Sequence, residues 1–188
     1  MNAFDAIVNR RTVHRYSDEP IPEGLVERAL EAAVAAPNHK LSNPWRFTRV
    51  GPEGRQAIED LYVELKRDSK GGLTDDQEES YRAKVGDPPE LVVPSQVLVD
   101  DDFQRREDYA AVACAIQNFM LALRSEGVFS KWTTGSITRA PETYEILDVD
   151  PEIEEIVGFV WIGYPREDCA GAEKPPREPL DEIVREVP

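Results

Sequence analysis

The run RREDYAAVACAIQNFMLALRSE, residues 105–126, is the longest helical pattern in the chain. Ala110, Ala111, Val112, Ala113, Cys114, Ile116, Phe119, Met120, Leu121, Ala122 and Leu123 leave it almost no polar face. A surface helix keeps a polar stripe for water, so a helix apolar nearly all round is buried on all sides. In a chain of 188 residues, that places it at the centre of the fold, at a subunit interface, or both. Gly127 is a natural stop, because glycine takes the left-handed conformation that ends helices.

Beyond Gly127 a loop is expected over 128–136, carrying Lys131-Trp132-Thr133-Thr134-Gly135. Thr138 is then positioned to cap a helix that runs to about Leu147. The run IVGFVWIGY, residues 156–164, reads as a fully buried strand. The Pro-rich tail from Pro165 to Pro188 has little core of its own. Upstream, LVVPSQVLV (91–99) reads as a buried strand, although Pro94 cannot donate to a ladder and so implies an edge or a bulge. Residues 74–84 form a very polar helix, expected as a solvated cover, and Gly71-Gly72 break the chain before it. A helix over 53–67 turns Ile58, Leu61 and Leu65 inward, and Trp45 to Val50 is a strand. Pro22 stands near the first turn of a helix whose stripe is Val26, Ala29, Leu30, Ala33 and Val34, and which Pro37 ends. A short helix covers 3–9. Helices outnumber strands and do not alternate regularly with them, so the class is α+β, in a single domain over 1–188.

Composition narrows the function. There are 22 Lys+Arg against 37 Asp+Glu, a formal charge of −15. Such a chain repels phosphate, which argues against nucleic acid or anionic lipid as a partner. No apolar run approaches the roughly 20 residues that span a bilayer, and the amphipathic N-terminus does not resemble a signal peptide. A cytoplasmic protein is expected, with Cys114 and Cys169 as buried or free thiols. Carboxylates crowd at Asp75-Asp76, Glu78-Glu79, Asp100-Asp101-Asp102 and Glu154-Glu155. Adaptation to high salt is one reading of that pattern, and an ordinary acidic surface is the other.

Within this acidic background, Arg10-Arg11-Thr12-Val13-His14-Arg15 is the densest basic cluster. Guanidinium forks match phosphate oxygens in pairs, and the Thr hydroxyl adds a bond. The same cations would also complement a helix C-terminus. His39, in the polar loop 38–44, is either a ligand contact or a solvated loop residue. With His14 and His39 the only histidines, no HExxH or Cys/His cluster exists and no metal site is expected. No GxSxG elbow, GxGxxG turn or Walker loop is present either. The 131–135 turn offers a cation, a flat ring and two hydroxyls, suited to a planar ligand or to anchoring a loop on the core. Trp45 and Trp161 lie in strand-like runs and are expected in the core.

Three segments, taken in order, resemble the nitroreductase family. They are Asn9-Arg10-Arg11-Thr12-Val13-His14-Arg15-Tyr16, then Ala36-Pro37-Asn38-His39-Lys40-Leu41-Ser42-Asn43-Pro44-Trp45-Arg46-Phe47, then Lys131-Trp132-Thr133-Thr134-Gly135. The closing run Ile156 to Pro165 is similar as well. The chain looks like the short members of the family. That resemblance implies a nitroreductase-like fold: a central mixed or antiparallel sheet flanked by helices, with the buried helix at the interface of a homodimer. It further implies two FMN sites lined by both chains. Arg10, Arg11 and Thr12 would hold the phosphate and ribityl chain, with His39 beside them. Trp132, Thr133 and Thr134 would arrive from the partner. Ala122, Leu123, Arg124, Ser125, Glu126 and Gly127 match a stretch linked to pyridine-nucleotide contact. Position 35 is Ala, where some short relatives carry an Arg that touches FMN.

The implied activity is hydride transfer from NADH or NADPH, through FMN, to a small electron-poor acceptor such as a nitroaromatic or a quinone. No side-chain acid or base stands out, so no catalytic residue is named. The alternative is a flavin-binding or acidic interaction protein without turnover.

Overall fold

Local signals account for most element boundaries in the computed structural model, which describes residues 1–169 and 176–187. The elements are α1 (Ala3–Asn9), α2 (Leu25–Val34), β1 (Trp45–Arg49), α3 (Pro52–Lys70), α4 (Asp75–Gly86), β2 (Glu90–Val97), α5 (Asp102–Ser125), β3 (Phe129–Thr133), α6 (Pro141–Leu147), β4 (Glu154–Ile156), β5 (Phe159–Gly163) and α7 (Leu180–Ile183). Asn2 caps α1, Asp101 caps α5, and Thr74 with Gln77 forms a capping box on α4. Pro52 starts α3, and Gly71, at φ 69°, ends it in the left-handed region.

The strands form one sheet in the order β1-β2-β5-β3, with β4 also on β2, and every pairing is antiparallel. The sheet separates two apolar layers. On one face α2 and α5 pack over Val92, Val160 and Ile162, with Phe119 at the centre. On the other, α3 and α6 pack over Leu91, Val93, Phe159 and Trp161. Trp45 and Trp161 are both buried, as their strand context implies.

Several expectations need correcting. The segment 128–136 is not all loop, because β3 occupies Phe129–Thr133 and pairs with β5 along its whole length. Ser130 and Lys131 blunt its apolar signal, and the pairing with β5 overrides it. Of the edge or bulge expected at Pro94, the structure has the bulge: Pro94 lies on an interior strand, where the register changes by one residue between Val92↔Val160 and Ser95↔Ile156. On one side it faces Phe47 of β1; on the other, pairing passes from β5 to β4 and skips Val93 and Pro94. The closing strand is accordingly broken, with Val157 N donating to Pro94 O at 3.0 Å. Thr138 caps no helix; its hydroxyl donates to Gly135 O at 2.9 Å, and α6 begins at Pro141 after Ala140.

α5 is not buried all round within one chain. Val112, Ala115, Ile116, Phe119 and Leu123 face the core, whereas Tyr109, Ala110 and Cys114 are exposed. Phe4, Ile7 and Val8 of α1, which packs on α5, are exposed as well. Cys114 is an exposed free thiol. Among the described residues no helix is long and apolar enough to cross a membrane. Of the Pro-rich tail, residues 170–175 and 188 lie outside the described residues.

Candidate functional site

Residues directly opposite one another on neighbouring strands share a sheet face. Lys131 of β3 pairs with Trp161 of β5, and Thr133 pairs with Phe159. These four line the floor of a cavity of about 460 Å³. Tyr62 of α3, with Ala83, Lys84 and Val85 of α4, forms its roof, and Thr12, His14 and Arg15 form its rim. Among the described residues no Asp or Glu lines it. In a chain of charge −15, a cavity walled by one imidazole, one guanidinium and two ammonium side chains is a local reversal of sign.

The basic segment is fixed to the end of β5. Ser17 N donates to Tyr164 O at 2.9 Å, Arg166 N donates to Arg15 O at 3.3 Å, and Tyr16 bridges to Pro165. Tyr16 is buried, and burial pushes its phenol far above the ordinary range. Gly163 makes this approach possible, since a Cβ there would stand 2.7 Å from Tyr16 Cδ1 and from Pro89 Cδ. Arg15 Nε lies 3.4 Å from Asp87 Oδ2, an ion pair that leaves that oxygen without a hydrogen bond.

On the floor, Trp161 Nε1 donates to Thr133 Oγ1 at 2.9 Å, so this hydroxyl is committed to holding the indole. Lys131 is 6% exposed, and its Nζ donates to Lys84 O at 3.1 Å. Burial, with the Lys84 charge assisting and Asp87 opposing, pushes the Lys131 ammonium down to about 8.

The residues singled out from the sequence are only partly brought together. Thr12, Trp132, Thr133 and Thr134 line the cavity. Arg10 and Arg11 do not line it, although both precede Thr12 at the rim, and Arg11 Nη1 is buried with no hydrogen-bond partner. The segment from Thr12 to Arg15 and the 132–134 turn of this chain line one cavity, because β3 pairs with the strand whose end anchors residues 15–17. The Trp132 indole also departs from expectation. It packs with the α2–α5 layer on the other sheet face, its Nε1 unpartnered over Gly158, where a Cβ would collide with it.

His39 is exposed in a short 3-10 turn and does not line the cavity. Its loop is held in an uncommon shape. Lys40, Leu41 and Asn43 have φ of 53°, 55° and 45°, secured by Ser42 Oγ donating to the buried Asp108 Oδ1 at 2.6 Å and Asn43 N donating to Asn38 Oδ1 at 2.9 Å. None of Ala122 to Gly127 lines the cavity. Leu123 is wholly buried in the core, Arg124 stacks 4.3 Å from the Phe129 ring centroid, and Ser125, Glu126 and Gly127 are exposed. Ala35 caps the end of α2. Among the described residues no group of three or more His, Cys, Asp or Glu is arranged to hold a metal ion.

The sequence reading passed over Tyr62, Phe159 and Lys84 as site residues. The alternation of β5 against β3 carries the signal for Phe159; nothing local marks Tyr62 or Lys84, which arrive on separate helices.

Residues 7–164 match the family model described as the nitroreductase family. The chain belongs to the nitroreductase family. Among its relatives in the family is a Bacillus subtilis (strain 168) protein named "Putative NAD(P)H nitroreductase YfhC", 27% identical over 164 residues, covering 87% of this chain and 84% of the relative. The crystal structure of a nitroreductase-like family protein from Bacillus cereus superposes with a TM-score of 0.84 at 26% identity, covering 100% of this chain and 96% of that one. The FMN and NADPH-dependent nitroreductase NfnB from Sphigopyxis sp. strain HMH shares the fold, with a TM-score of 0.80 at 20% identity over 100% of both chains. The α+β architecture, an antiparallel sheet flanked by helices, is thus the nitroreductase fold.

Proposed function

We propose that this nitroreductase-family chain is an FMN-dependent oxidoreductase, taking hydride from NADH or NADPH and passing electrons to a small electron-poor acceptor, a nitroaromatic or a quinone. The observations that carry the reading are a cavity to which no described carboxylate contributes and, one residue before its rim at Thr12, a buried guanidinium nitrogen of Arg11 without a partner, in a chain of charge −15. A buried donor left without an acceptor costs about 1–3 kcal/mol, and a phosphate oxygen supplies the missing acceptor. The residues present therefore fit FMN. Relatives and structural neighbours named as NAD(P)H nitroreductases and FMN-dependent nitroreductases support the same cofactors.

Arg10, Arg11 and Thr12 would hold the phosphate and ribityl chain. Bound FMN supplies the hydride-accepting ring that no side chain here replaces. The protein's part is electrostatic and steric. Arg15, Lys84 and Lys131 offset negative charge, and Phe159, Trp161 and Tyr62 keep an apolar wall. The backbone around 132–134 closes the cavity on the β3 side. Ala122 to Gly127 lie off the cavity, so nicotinamide contact there would require a surface other than this one.

A homodimer completes the arrangement. The exposed apolar stripe of Tyr109, Ala110 and Cys114 on α5, with Phe4, Ile7 and Val8 of α1, is the face a second copy would cover. The His39 loop is tied to α5 through Asp108, so pairing through that face would carry His39 toward the second copy's site.

The test is anaerobic mixing of the FMN-loaded protein with NADH and with NADPH. The visible flavin band is expected to bleach and to return on adding a nitroaromatic or quinone, with parallel double-reciprocal lines in steady state. Persistent colour with both reductants would overturn turnover and leave a flavin-binding protein.

A further inference from the structure

A buried ammonium is among the most costly groups a protein interior can hold unless an anion pairs with it. Lys131 is such a group. Among the described residues no carboxylate comes within ion-pair distance of its Nζ, which donates to the Lys84 carbonyl oxygen and lies 5.8 Å from the Trp161 ring centroid and 6.0 Å from that of Tyr16. The charged and titratable groups around it are Lys84 on α4 and Asp87 at its end, with Asp87 already paired to Arg15, then His14 and Tyr16 on the N-terminal segment and Tyr62 on α3. Lys84 disfavours the charge and Asp87 favours it. The ring faces compensate for part of the lost hydration. The arrangement is a cation kept short of its counter-ion, on the floor of a cavity that Arg15 and Lys84 also line.

We propose that Lys131 sets the charge of this cavity, making it retain a reduced, anionic flavin more tightly than an oxidised one and taking up a proton at Nζ when the ring is reduced. This rests on the FMN reading above. In the transfer itself, hydride from NAD(P)H delivers two electrons and one proton to the ring and leaves NAD(P)⁺. The further proton comes from water and resides on Nζ, compensating the ring's new negative charge. In the protein alone, burial pushes the Lys131 ammonium down to about 8, so that it loses its charge through that pH, and a neighbouring anionic ring draws the proton back. The preference for reduced flavin is therefore full below that pH. It falls tenfold per pH unit above it, equivalent to about 30 mV per unit for a two-electron couple.

The experiment measures dissociation constants of oxidised and reduced FMN, or the midpoint potential of the bound cofactor, from pH 6.5 to 9.5 for wild type, Lys131→Met and Lys131→Arg. Wild type is expected to favour the reduced form at least tenfold more than Lys131→Met at pH 7, with the gap closing above pH 8. Lys131→Arg is expected to keep the preference across the whole range, since guanidinium stays charged. Wild-type ratios in Lys131→Met would overturn the inference while leaving FMN binding intact. Should Lys131→Met not fold, a Lys131→Arg profile that still falls above pH 8 overturns it. Failure of the wild type to bind FMN would instead overturn the reading on which it rests.

Discussion

Arg11→Ala is expected to weaken FMN retention about 10- to 100-fold, the range set by losing a charge-assisted hydrogen bond worth roughly 1.5–3 kcal/mol. Arg11 Nη1 is buried with no hydrogen-bond partner within the chain. Its removal therefore breaks no bond in the apo-protein, and the melting temperature without FMN should hold or rise slightly. That pairing of results separates a ligand contact from a structural arginine. A helix-end cation complementing the α1 dipole would give the opposite pattern, with unchanged FMN binding and a loss of stability. Fluorescence titration with FMN and with riboflavin checks it. The arginine acts on phosphate, so riboflavin binding should respond far less. Equal affinity of both proteins for FMN would remove the phosphate role of Arg11.

Phe119→Ala is expected to cost about 3–5 kcal/mol of stability, the range for deleting a fully buried aromatic ring. Phe119 is wholly buried in the layer between α5 and the sheet, with Phe47 of β1 tilted against it at 6.4 Å between centroids. Its neighbours belong to α2, α5 and three strands, which cannot collapse together into the space. Urea unfolding at fixed protein concentration reads the change as a lower midpoint with an unaltered slope, and the melting temperature should fall by about 10 °C. A cost below about 1 kcal/mol would mean that α5 is not the packing centre.

How far the sequence alone reaches differs between elements. α3, α4 and α5 announce themselves through caps, glycine stops and period, and β1 through Trp45 to Arg49. β3 does not, because Ser130 and Lys131 are polar and only pairing with β5 makes the segment a strand. Pro94 reads as an edge or a bulge, and the structure has the bulge inside the sheet: β2 changes partners there, and no local pattern encodes which partners they are. The candidate site was legible as ordered motifs, and Thr12, Thr133 and Thr134 do meet at one cavity. How the two motifs of one chain come to the same cavity was not legible, since it depends on which strand anchors the N-terminal segment. The Trp132 ring illustrates the same limit. Alternation along β3 places it opposite Lys131's face, and that alternation becomes readable only once 129–133 is recognised as a strand.

The most direct measurement is equilibrium titration of the colourless apo-protein with FMN, followed by visible absorption and flavin fluorescence. The account predicts saturable uptake at one FMN per chain, leaving a yellow protein that keeps its flavin through gel filtration. A protein that stays colourless and fails to quench FMN fluorescence at any ratio would contradict it.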